Sequence, residues 1–180
     1  MRFFLPPLML LSGLGLLLCL SVQLIALTGH FSWLQDLLDE DQQIHASMVM
    51  VGGIFAVWCP AVLIAQRINN GNRLTFSWKK VLVGCPQWMV YTAYAVFGYA
   101  ILNFLLVVIG GNIDDGRGAR VFSGHAMVFY GLAFCIFFSS WNRPHLLRTH
   151  LCPAGHEISH EDKFCPLCGL PTAQSGQDGL

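Results

Sequence analysis

Apolar positions along this chain gather into four long runs instead of alternating with polar ones. The first extends from Phe3 to Thr28, the second from about Ile44 to Gln66, the third from about Val81 to Ile109 and the fourth from about Val121 to Trp141. Asp, Glu, Lys and Arg stand only at their edges. Roughly 20 apolar residues in a helix cross a hydrocarbon layer of about 30 Å, so every run is long enough to span it. Unpaired backbone is too costly in lipid for such segments to be anything but helices, and β-barrel alternation is missing. The expected fold is an all-α membrane protein: a four-helix transmembrane domain over residues 1–148, a separate unit over 149–170 and a disordered tail over 171–180. The first run is longer than the core of a cleaved signal peptide and no A-x-A-like site follows it, so it reads as a retained helix.

Composition and charge set the orientation. Hydrophobic residues make up 54% of the 180 and charged residues 11%, and ten Lys and Arg balance ten Asp and Glu with no basic stripe, so no nucleic-acid partner is expected. The connection after the first run carries Asp36, Asp39, Glu40 and Asp41 and no base; the next carries Arg67, Arg73, Lys79 and Lys80 and no acid. Basic loops stay cytosolic, which places the first connection outside, the second inside and both termini in the cytosol. The expected location is the inner membrane of a bacterial cell.

After His150 the pattern changes from lipid to metal. Cys152-Pro153-Ala154-Gly155-His156 is followed, eight residues on, by Cys165-Pro166-Leu167-Cys168-Gly169. Two tight turns that each present two soft or borderline donors suit tetrahedral zinc, and Cys152, His156, Cys165 and Cys168 would form a closed structural site. His160 and His150 are the alternatives for the fourth donor. So short a segment has almost no core, so the metal must supply its folding energy. From Cys152 to Gly169 the chain resembles the short zinc-ribbon family of prokaryotic proteins, with C-x₃-H replacing the commoner C-x₂-C in the first turn. The resemblance implies a metal-stabilised knuckle used for protein contacts. It implies no activity, and the membrane portion carries no resemblance of its own.

Within the membrane, His45-Ala46-Ser47-Met48 opens the second run and His125-Ala126-Met127 lies near the start of the fourth. The offset of 80 also aligns Gln23 with Asn103, the pattern of two duplicated hairpins. Intramembrane histidine is costly enough to suggest function, so His45 and His125 are candidate ligands of a b-type haem or, with Met48, of copper; the other reading is packing or interfacial hydrogen bonding. A haem between them would need a splayed bundle lined by Gly52, Gly53, Ala126 and Gly131. The stretch from His45 to Met50 is similar to the helix that carries a low-spin haem ligand in haem–copper oxidases. The binuclear histidines are missing, and no oxidase activity is implied. Cys59, Cys85 and Cys135 fall toward the cytosolic ends of their helices. No G-x-S-x-G elbow or carboxylate-oriented nucleophile is present, so catalysis gains no support. The leading expectation is a membrane adaptor or assembly subunit that contacts a protein partner through its ribbon; the rival is a bis-histidine redox carrier.

Overall fold

The structure, a computed structural model, describes residues 2–37, 39–69, 76–111, 115–147, 150–158, 163–165 and 167–171. The tail expected over 171–180 lies outside them beyond Pro171, as do Asn72 and His160. Helix α1 (Leu5–Leu27) starts where Pro6 and Pro7 can occupy a first turn whose N–H groups have no intrahelical acceptor. It is followed by α2 (Phe31–Leu37), α3 (Glu40–Ile68), α4 (Trp78–Val81), α5 (Gln87–Gly110) and α6 (Asp115–Asn142), then by a two-stranded antiparallel hairpin, β1 (His150–Leu151) and β2 (Glu157–Ile158). Among the described residues four helices, α1, α3, α5 and α6, are long and apolar enough to cross a membrane.

The third span begins at Gln87, six residues later than the apolar run suggests. Pro86 has extended backbone (φ −63°, ψ 150°) and caps α5, so the chain from Leu82 to Cys85 turns before the helix can begin. That turn is fastened to the far end of α6: the Gly84 amide donates to Ser139 Oγ at 3.0 Å and Asn142 Nδ2 donates to the Gly84 carbonyl at 3.1 Å. At the end of α3, Asn69 accepts from the Ser77 amide at 2.8 Å and donates to the Ala65 carbonyl at 3.0 Å, which sets the entry to α4.

Helix α6 is the central post. It packs against α1, α3 and α5, and half of its apolar window is buried against 17% for each of the other three. α1 turns toward it a stripe of Leu5, Ser12, Cys19 and Ala26, and α3 buries Val57, Ala61, Ala65 and Ile68. Small residues on both sides let helix axes approach, the usual basis of packing where lipid removes the hydrophobic drive. Tyr130 of α6 is 3% exposed and lies over Gly15 of α1, where a Cβ would overlap its ring, and Gly53 of α3, where a Cβ would overlap its hydroxyl; that hydroxyl donates to the Met50 carbonyl at 2.9 Å. Large apolar side chains such as Leu14, Leu17, Phe55, Leu63 and Tyr91 point outward, as lipid-facing surfaces require.

This packing is not the one two equivalent hairpins would give. Duplication would pair α1 with α5 and α3 with α6, so the extensive α1–α6 contact should be matched between α3 and α5, which among the described residues have no comparable contact. The difference lies in Tyr130 of α6, which reaches both α1 and α3 and has Met50 at the equivalent position of α3. The aligned pair Gln23 and Asn103 nevertheless converge, both 2% exposed, on one polar cluster around Gly124. Gln23 Nε2 donates to the Tyr99 hydroxyl, Ser123 Oγ donates to Gln23 Oε1, Asn103 Nδ2 donates to the Arg120 carbonyl and Arg120 Nη2 returns a bond to Asn103 Oδ1, the last two at 3.0 Å. The cluster joins α1, α5 and α6 through groups that lipid could not satisfy.

Candidate metal centre

The short hairpin and the turn after it carry four donors inward. At the first turn, the Cys152 amide bonds the His156 carbonyl at 2.9 Å and the Gly155 amide bonds the Cys152 carbonyl at 2.8 Å. At the second, the Cys165 amide bonds the Leu170 carbonyl and the Gly169 amide bonds the Cys165 carbonyl, both at 2.8 Å. Gly155 and Gly169 have φ of 80° and 70°, left-handed values that a side chain disfavours, and so let each turn close. Phe164 bridges to Pro171 and clamps the base of the second turn.

The result is a compact donor set. Cys152 Sγ stands 3.6 Å from His156 Nδ1 and 3.7 Å from Cys168 Sγ, and Cys165 Sγ stands 3.7 Å from His156 Nδ1. All four donor atoms lie within 4.8 Å of one another, and among the described residues this is the one group of three or more Cys, His, Asp or Glu so placed. It can hold a metal ion. Cys152 and Cys165 are buried, His156 is half-buried and Cys168 is exposed. The Cys165 thiol, despite burial, is brought down to about 6 by the amides of Cys168 and Leu167 and by the neighbouring thiols, whereas Cys168 is raised. Negative charge therefore gathers at the most enclosed sulfur, where a cation would be received.

The other sequence candidates are not assembled in this way. His45 is exposed on α3, and Met48, one turn on, is 66% exposed. His125 is half-buried on α6, with its Nδ1 2.8 Å from the Val121 carbonyl and its ring edge-on to Phe104 of α5, centroids 5.8 Å apart. The two histidines thus have separate surroundings, and the Gly53 notch that a haem would need is filled by Tyr130. Cys59 is exposed, while Cys85 and Cys135 come together. Arg120, Ser123 and Tyr99 were not evident as a polar cluster from sequence; the signal for it was Arg120, Ser123 and Gly124 at helical spacing around the start of the fourth run.

Fold and donor set together fit a multi-pass membrane protein with four candidate spans and, after α6, a Cys/His group that could hold a metal ion. Comparison with known families, curated proteins and solved structures finds no match to the chain.

Proposed function

We propose that this protein is a non-enzymatic membrane adaptor or assembly subunit, with both termini in the cytosol and a structural zinc ribbon that contacts a cytosolic protein. The carrying observation is the donor geometry. A tetrahedral ion with Zn–S of about 2.3 Å and Zn–N of about 2.0–2.1 Å has S···S edges of about 3.8 Å and S···N edges of about 3.6 Å. Three of the separations between these donors, 3.6–3.7 Å, match that frame, and all lie within 4.8 Å. Four protein donors leave no open position for water or substrate, which favours a structural over a catalytic role.

The surface of the knuckle supports a contact function. Phe164 is 64% exposed and Leu167 74%, with Leu170 beside them, a dense apolar patch for so small a unit. Reduced thiols suit the cytosolic side, where the basic connection and Arg143 also place this end of the chain.

Metal analysis of the full-length protein, purified in detergent under reducing conditions, tests the first half: one zinc per chain, lost in Cys168→Ser. Photocrosslinking from Leu167 in intact cells tests the second, with a discrete adduct to a cytosolic protein that disappears in Cys168→Ser. One zinc per chain with no adduct from Phe164, Leu167 or Leu170 would overturn the adaptor role and leave the metal site standing.

A further inference from the structure

Outside the ribbon, a second group of sulfur donors is gathered at the same end of the bundle. Cys85, in the turn before α5, donates through its Sγ to the Cys135 carbonyl of α6 at 3.1 Å. Cys135 is 6% exposed, and Met89, one turn after Cys85, is 7% exposed and packs in the same cluster. The turn that carries Cys85 is held by the bonds of Gly84 to Ser139 and Asn142, so the approach of the two cysteines is fixed by the backbone on both sides. The adjacent Cys135 thiol, and burial, hold the Cys85 thiol well above its ordinary range, so it stays protonated and a poor nucleophile. The apolar neighbours are Leu82, Val90, Ala93, Phe134 and Phe138, and the nearby Ser139 hydroxyl is engaged by the Gly84 amide; among the described residues no His, Asp or Glu joins the two cysteines in a donor group.

We propose that Cys85, Cys135 and Met89 form a site for a soft monovalent cation, Cu(I), distinct from the ribbon. Two thiols and a thioether without imidazole or carboxylate select Cu(I) over harder divalent ions. An apolar shell favours the lower oxidation state by excluding water. Binding displaces thiol protons to water and changes no oxidation state, so uptake strengthens as pH rises. The site does not depend on the adaptor reading, because none of its donors belongs to the ribbon.

The test uses zinc-loaded full-length protein in detergent, titrated under reducing, oxygen-free conditions with Cu(I) buffered by bicinchoninate, whose Cu(I) complex is coloured. One Cu(I) per chain should be taken up without release of zinc. Cys85→Ser and Cys135→Ala should each weaken that uptake by a hundredfold or more, Met89→Leu by about tenfold, and Cys59→Ser not at all. Copper K-edge spectra of the wild type should show a sulfur-only first shell, a reading that stands even if a variant fails to fold. Uptake unchanged in Cys85→Ser, uptake matched by zinc release, a nitrogen ligand in the first shell, or Cys85 and Cys135 isolated as a disulfide would each overturn the proposal.

Discussion

Tyr130 fills the notch that Gly15 and Gly53 leave open, and its hydroxyl reaches the Met50 carbonyl, so one side chain meets α1, α3 and the backbone of α3 at once. A methyl group at Gly15 drives the ring, and one at Gly53 the hydroxyl, out of its packed position, and overpacking of this kind costs about 1–3 kcal/mol. Gly53→Ala and Gly15→Ala should therefore loosen the bundle by that amount, measured as the shift in reversible unfolding in mixed micelles. Gly52→Ala, one residue away and facing open space, should leave stability unchanged. Tyr130→Phe keeps the ring and removes only the hydroxyl, and should cost about 1 kcal/mol or less, the usual size of an interhelical hydrogen bond in lipid.

Among the spans, the four apolar runs were legible because charge is absent from them, and the donors at Cys152, His156, Cys165 and Cys168 because of their paired spacing. The central place of α6 was harder to read, since hydropathy points the other way: its window has the lowest mean hydropathy of the four, 1.8 against 2.1 to 2.3. A helix lined with Ser123, Gly124, Ala126, Gly131, Ala133 and Ser139 trades hydropathy for close approach, and that trade was the available signal. The late start of α5 was hidden because Val81, at the end of α4, and Leu82, in the turn after it, are apolar and buried yet outside any span. Asn103→Leu should be costlier than its gain in hydropathy suggests, because it leaves the Arg120 guanidinium, whose Nε is already buried without a partner, short of another acceptor. A loss of about 1–3 kcal/mol in the same unfolding assay is expected. In the knuckle, His156→Ala should weaken zinc binding severely, read by competition with a coloured chelator. Unchanged affinity would transfer the fourth donor to His160 or His150.

For the whole molecule, the orientation inferred from loop charge predicts that a cysteine at Gln35, in α2, is labelled from outside intact cells by an impermeant thiol reagent, whereas one at Asn72 is labelled only after lysis. The reverse pattern would invert the bundle and bring the knuckle outside. Either way, α6 carries the contacts on which α1, α3 and α5 depend, and it leaves the ribosome after those three. Until it arrives, Gln23 and Asn103 sit in their helices without Ser123 and Arg120 to satisfy them, so the first three spans form an incomplete and polar-marked intermediate. A chain ending after Gly110 should consequently insert normally and then be cleared by membrane proteases. Supplying α6 as a separate segment should rescue it, which would make α6 a checkpoint on completion of the bundle.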